Sequence, residues 1–161
     1  MAVSPRVVGA AVALAAIAVD QAHKAWMLGP FEIASKGRVE ATPFLDLVLV
    51  WNRGVSYGLL TQDADAGQWI PIALGLAGAA LFSWWLRDTD RVLPAVALGL
   101  IIGGALSNVI DRVVHGAVAD FFLLHAGGFE WYVFNIADVW ITAGVIGIML
   151  AWLTERRQNA T

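Results

Sequence analysis

Two stretches of this chain, residues 69–86 and 92–110, contain no Asp, Glu, Lys or Arg. Each is close to the roughly 20 apolar residues that a helix needs to cross the hydrocarbon core of a bilayer. Residues 134–153 form a third such stretch with one charge, Asp138, near its start. A fourth, residues 7–28, is interrupted in its second half by Asp20, His23 and Lys24. The pattern predicts a mainly α membrane protein with four transmembrane helices, at about residues 7–28, 69–86, 92–110 and 136–153. Composition agrees, with 59% hydrophobic and 14% charged residues among 161, where soluble domains carry about 25% charged residues. The length suits one integral-membrane domain spanning residues 1–161. Seven of the eight tryptophans (Trp26, Trp69, Trp84, Trp85, Trp131, Trp140 and Trp152) flank the apolar runs, as interfacial anchors do.

The first segment also reads as a cleavable signal peptide, with Arg6 as its charged start and Ala16-Ile17-Ala18 as a small-residue site. Three further apolar runs argue against that reading, as does the Asp20/Lys24 pair, which makes sense inside a bundle. Threading four helices puts Arg6, Arg87, Arg91, Arg156 and Arg157 on one side of the membrane. By the positive-inside rule that side is cytoplasmic, with both termini inside. The bias is modest, because Lys36, Arg38, Arg53 and Arg112 fall on the other side. A formal net charge of −3 makes nucleic acid an unsuitable partner. The absence of cysteine excludes disulfides, thiolate metal sites, a cysteine nucleophile and lipidation of the chain's own thiols. Nothing in the sequence calls for more than a monomer.

The extracytoplasmic segment at residues 29–68 is too long for a plain turn. Its core, Phe44-Leu45-Asp46-Leu47-Val48-Leu49-Val50-Trp51, is rich in strand formers, with Pro43 before it and Asn52-Arg53-Gly54 after it. A small β element lying on the bundle is expected there.

Two carboxylates carry the strongest chemical signal. Asp120 lies in Val118-Ala119-Asp120-Phe121-Phe122, and Asp138 in Phe134-Asn135-Ile136-Ala137-Asp138. A carboxylate among large apolar residues beside a membrane span is costly unless it is paired, protonated or functional. The predicted topology brings both to the outer face. Two carboxylates sharing a site hold one proton between them, so one can accept a proton from water while the other polarises a carbonyl. This acid/base chemistry needs no metal or cofactor. The bland alternative is two unrelated acids, Asp138 capping the last helix and Asp120 solvated.

Other groups are less specific. Asp20 and Lys24 are spaced i, i+4 with the acid first, which favours a neutralising pair that positions the site. Asn52-Arg53-Gly54 suits a turn, or an asparagine that holds substrate or the carboxylates. The GxxxG spacing of Gly99 and Gly103 signals close helix packing. Asn108 and Asp111 can share a helix face, and Arg112 can neutralise a carboxylate, hold a lipid phosphate or snorkel to water. His115 and His125 lack metal-ligand spacing, and Ser56 and Ser107 lack a nucleophile elbow.

Taken in order, these motifs resemble bacterial lipoprotein signal peptidase, or signal peptidase II. The resemblance rests on Asp20-Gln21-Ala22-His23-Lys24 and Asn52-Arg53-Gly54-Val55-Ser56-Tyr57-Gly58. It continues through Gly103-Gly104-Ala105-Leu106-Ser107-Asn108-Val109-Ile110-Asp111-Arg112, Val118-Ala119-Asp120-Phe121 and Phe134-Asn135-Ile136-Ala137-Asp138. It implies an aspartic endopeptidase that removes the signal peptide of prolipoproteins just before the diacylglyceryl-modified cysteine. It also implies that Asp120 and Asp138 are the catalytic dyad. Asp20, Lys24, Asn52, Gly54, Gly104, Asn108, Asp111, Arg112, Asn135 and Ala137 match positions that support or line the site. The implied partners are lipid-modified prolipoprotein and membrane lipids, in the bacterial cytoplasmic (inner) membrane. The implied fold adds an extracytoplasmic β-cradle, which residues 29–68 fit, and a short helix-bearing loop before the last span, which residues 113–133 fit. Three positions depart from the family pattern: Ser107 for glycine, Ala119 for valine and Tyr57 for phenylalanine.

Two other function classes fit an apolar four-helix chain. One is a transporter or proton relay, which wants ionisable groups spread through the membrane. The other is a packing-only assembly factor, which would tolerate loss of both aspartates. The clustering of acids toward one end of the predicted bundle argues against the relay.

Overall fold

The computed structural model describes residues 3–54 and 66–158. The elements run α1 (Pro5–Leu28), α2 (Ile33–Lys36), β1 (Val39–Thr42), β2 (Leu45–Asn52), α3 (Ala66–Arg87), α4 (Val92–His115), β3 (Val118–Ala126), β4 (Phe129–Phe134) and α5 (Ile136–Gln158). Four of the helices, α1, α3, α4 and α5, are long and apolar enough to cross a membrane. The motif residues Val55, Ser56, Tyr57 and Gly58 lie outside the described residues.

The bundle is built around α4. Its most hydrophobic stretch is 61% buried, against 22% or less in the other three long helices. Small residues make this possible. A methyl group on Gly103 would lie 2.6 Å from the Ala13 carbonyl oxygen of α1, and one on Gly104 would lie 2.5 Å from the Ala137 carbonyl oxygen of α5. Gly99 meets Gly9 of α1 in the same way, so the GxxxG pair is a seat for α1. Gly75 of α3 packs on Val109, and Gly144 of α5 packs on Ala97 and Ile101. Helices α1, α3 and α5 all pack against α4, whereas α3 and α5 make at most marginal contact with each other.

Local signals set the helix ends. Ser4 caps α1, its side chain accepting the Val7 N–H at 3.4 Å, and Pro5 occupies the first turn. Helix α4 runs past residue 110 to His115, where Gly116 in the left-handed region (φ 73°) ends it. Asp111 and Arg112 are therefore helical, one turn beyond the predicted end of the span.

At the end of the bundle where α1 ends and α5 begins lies an antiparallel sheet of order β1-β2-β3-β4. Phe121 and Ala119 of β3 are fully buried with Met27 of α1 and Ile33 of α2. Burying a phenylalanine of this kind contributes about 2–3 kcal/mol. Residues 113–133 differ from the expectation drawn from the resemblance. They hold no helix after His115; they form β3 and β4, joined by Gly127 and Gly128 with φ of 56° and 86°. Two consecutive positive φ angles define the type I′ hairpin turn, and Gly-Gly supplies them without strain. The one short helix among the described residues is α2, ahead of the sheet.

Candidate active site

The register of β2 on β3 places Val50 opposite Asp120 and Asn52 opposite Val118. Asp120 is thus held on a central strand, directly beside the last turn of β2, and is 1% exposed. Its two oxygens are both occupied. Oδ1 accepts a hydrogen bond from Asn135 Nδ2 at 2.6 Å, and Oδ2 accepts one from Asn52 Nδ2 at 3.1 Å. Asn52 is fixed in turn, because its Oδ1 accepts the Gly54 N–H at 2.9 Å. Gly54 has φ 82°, and a Cβ there would lie 2.7 Å from Pro71 Cγ. Glycine is therefore required twice at this position, by conformation and by the approach of α3.

Asp138 lies in the first turn of α5, three residues after Asn135. The two form a reciprocal capping box. Asn135 Oδ1 accepts the Asp138 N–H at 3.0 Å, and Asp138 Oδ2 accepts the Asn135 N–H at 3.2 Å. The remaining oxygen, Oδ1, accepts from Asn108 Nδ2 of α4 at 3.0 Å. Asp138 therefore does cap its helix, as the bland reading had it, and still faces α4. Asn135 is fully buried and touches both carboxylates, Asp138 through its backbone N–H and Asp120 through its side-chain amide. One residue thus joins the two acids. Burial pushes the Asp120 carboxyl up to about 6, and the charge of nearby Asp138 adds to the rise against the lowering effect of the two asparagine donors.

Beneath this pair lies a second polar layer. Lys24 Nζ is 2.7 Å from Asp20 Oδ2 and 2.7 Å from Asp111 Oδ2, and it donates to Asn108 Oδ1 at 3.2 Å. All three of its N–H groups are used. Each of its two acids also grips backbone. Asp20 Oδ1 accepts the Ala137 N–H at 2.9 Å, and Asp111 Oδ2 accepts the Ala119 N–H at 3.1 Å. Ala137 directly precedes Asp138, and Ala119 directly precedes Asp120. The lower layer therefore positions the backbone on which each upper carboxylate is mounted.

The structure brings together all twelve site residues named from sequence. Gly104 and Ala137 are the close contact between α4 and α5, and Arg112 is half-buried at the rim, donating from Nη1 to the Asn108 carbonyl at 3.3 Å. Ser107 and Gln21 were missed as site residues. Ser107 is fully buried, donates to Asp20 Oδ2 at 2.7 Å and accepts from Gln21 Nε2 at 3.0 Å. Helical spacing carried the signal, because Ser107 and Asp111 are four apart. His115 packs against Trp51, and His125 lies within 3.2 Å of Asp46.

The profile of the family described as signal peptidase (SPase) II matches residues 12–154. The chain belongs to the signal peptidase II family. It is 50% identical over 137 residues to the lipoprotein signal peptidase of Methylorubrum extorquens (strain PA1), covering 85% of this chain and 80% of that one. Identity to the lipoprotein signal peptidase of Methylobacterium sp. (strain 4-46) is 48% over 159 residues, covering 97% and 95%. Two solved structures described as a bacterial membrane enzyme, at 2.3 and 1.9 Å, superpose with TM-scores of 0.76 and 0.75 at 27% and 28% identity. They cover 92% and 90% of this chain, and the matches span 88% and 92% of those chains. Membership of signal peptidase II makes the chain an aspartic peptidase, and with four membrane-length helices it is a multi-pass protein of the bacterial inner membrane.

Proposed function

We propose that this chain removes the signal peptide of diacylglyceryl-modified prolipoproteins, cutting just before the lipidated cysteine, with Asp120 and Asp138 as its catalytic dyad. The observation that carries this reading is the pair of carboxylates joined by Asn135 at one end of an apolar bundle. Helices α3 and α5 both pack on α4 and make at most marginal contact with each other, which supports a lateral approach of a membrane-embedded substrate between them.

In the mechanism the dyad holds one proton. The ionised carboxylate takes a proton from water, whose oxygen attacks the carbonyl of the residue before the cysteine. The protonated carboxyl donates to the carbonyl oxygen as the tetrahedral diol forms. Collapse of the diol breaks the C–N bond: the cysteine nitrogen leaves as an amine after taking a proton from the dyad, and the dyad accepts the proton that one diol hydroxyl releases as the new carboxylic acid forms. One proton on the dyad is restored at each turnover. Asn52, Asn108 and Asn135 aim the carboxylates. Lys24, Asp20 and Asp111 hold their backbone. Arg112, half-buried at the rim, donates from Nη1 to the Asn108 carbonyl and sets a positive charge near both carboxylates.

The Lys/Arg distribution supports cytoplasmic termini and a site at the outer face. Helix α1 starts, the α3–α4 turn lies and α5 ends on the side of Arg6, Arg87, Arg91 and Arg156. A monomer suffices, because one chain supplies every group in this scheme. The test is cleavage of a diacylglyceryl-modified prolipoprotein by purified protein in lipid, with an unlipidated substrate as control. Wild type cuts only the lipidated substrate, and Asp120→Asn and Asp138→Asn each lower the rate by roughly 1,000-fold or more, on the order of the loss of a reacting group. Wild-type turnover in either variant rejects the dyad.

A further inference from the structure

We propose that Ser107 and Gln21 form a neutral bridge that fixes the spacing of the two dyad carboxylates, a positioning role resting on the dyad reading above.

Lys24 alone cannot balance its surroundings. It faces two buried carboxylates, Asp20 and Asp111, with one positive charge. A buried acid needs donors for its remaining lone pairs. Ser107 and Gln21 supply them. Ser107 Oγ donates to Asp20 Oδ2 at 2.7 Å. Gln21 Nε2 donates to Asp111 Oδ1 at 2.8 Å and also reaches Ser107 Oγ at 3.0 Å and the Ser107 carbonyl at 3.2 Å. The path Asp111–Gln21–Ser107–Asp20 therefore runs alongside the Lys24 path. The two acids are tied together twice, once by a cation and once by neutral donors.

The second tie has a geometric consequence. Asp111 holds the Ala119 N–H, next to Asp120, and Asp20 holds the Ala137 N–H, next to Asp138. Whatever fixes Asp20 relative to Asp111 fixes the mount of one dyad member relative to the other. Lys24 spans the layer on a four-carbon stem and is held at its ammonium end. The serine hydroxyl sits on rigid α4, one residue before Asn108, which itself donates to Asp138. The bridge lets Lys24 neutralise the layer while Ser107 and Gln21 set its dimensions.

The spacing of two carboxylates sets how strongly their titrations couple, and so the pH range over which the dyad holds one proton. The charged or titratable groups packed around the dyad are Asp20, His23 and Lys24 on α1, and Asp111 and Arg112 on α4. Of these, Asp20 and Asp111 are the ones the bridge touches. If the bridge is cut, the dyad carboxylates can drift apart and couple less. The higher of the two macroscopic titrations falls, the lower rises, and the bell-shaped kcat profile narrows.

The experiment measures kcat, KM and the pH–rate profile of wild type, Ser107→Ala, Ser107→Thr and Gln21→Ala in lipid on the lipidated substrate. Ser107→Ala and Gln21→Ala are expected to lower kcat by about 5- to 50-fold at nearly unchanged KM and to narrow the bell, while Ser107→Thr keeps the wild-type width. The double variant Ser107→Ala/Gln21→Ala should be no worse than the worse single one, as for two parts of one bridge. A partly unfolded protein would lower the amplitude without changing the width. Gln21 is only half-buried, so Gln21→Ala keeps the test open if Ser107→Ala fails to fold. An unchanged bell in both folded single variants overturns the proposal. If wild type shows no cleavage, or Asp120→Asn retains it, the dyad reading fails instead.

Discussion

At the scale of single residues, asparagine does as much here as aspartate. Asn52, Asn108 and Asn135 give each oxygen of Asp120 and Asp138 one donor and hold both carboxylates in place without adding a charge. Asn135 is the critical one, because it serves both acids. Asn135→Ala removes the cap of α5 and the 2.6 Å bond to Asp120 together. It should cost about 1–2 kcal/mol in thermal unfolding and lower kcat by about 100-fold or more, whereas a mere cap would leave kcat untouched. The raised Asp120 carboxyl gives a signed pH prediction. Its folded value near 6 lies above the ordinary value of 3.8, so the proton is held up to about pH 6 and lost above it. kcat/KM of the free enzyme should therefore fall on an alkaline limb near pH 6. Asn52→Ala, which removes a donor that favours the ionised form, should move that limb upward. A downward move, or no limb at all, would contradict the assignment of that proton to Asp120.

At the scale of elements, glycines let two segments meet so closely that an added methyl group would clash. The α4–α5 contact depends on Gly104 lying against the Ala137 backbone. Gly104→Val places a branched side chain where a carbonyl oxygen already stands, which should cost about 2–4 kcal/mol of stability and spread α5 from α4. Both the midpoint of thermal unfolding and the Asn108–Asp138 bond should suffer. Gly78 of α3, where an added methyl group would meet open space, provides the control: Gly78→Ala should be neutral or slightly stabilising. The β3–β4 hairpin shows how an element escapes a sequence reading. Its turn signal, Gly127-Gly128 between two aromatic-rich runs, is local and legible. The resemblance implied a helix in that segment, where the chain instead makes this turn. The lengths of the helices, by contrast, were legible to within a few residues, because desolvating backbone in hydrocarbon leaves a helix almost no alternative.

At the scale of the whole molecule, the site is a joint between two bodies. The bundle contributes Asp138, Asn108, Lys24, Asp20 and Asp111, and the sheet contributes Asp120 and Asn52. Neither body alone holds both carboxylates. The sequence determined what is fixed by local chemistry: four membrane-length helices, a strand-rich segment between the first two of them, the small residues at the α4 contacts and two carboxylates in apolar company. Each follows from hydrophobic burial, backbone satisfaction or steric volume over a short stretch of chain. Tertiary structure alone decided which groups meet. Asp120 reaches Asn135 through the β2–β3 register and the hairpin return, Ala137 reaches Asp20 across 117 positions, and Gln21 reaches Asp111 across 90. A hydrogen bond is made or lost within a few tenths of an ångström, and no local pattern of residues carries that information. Such contacts are set by the packing of α1, α4 and α5 against one another, which exists only once the chain has folded.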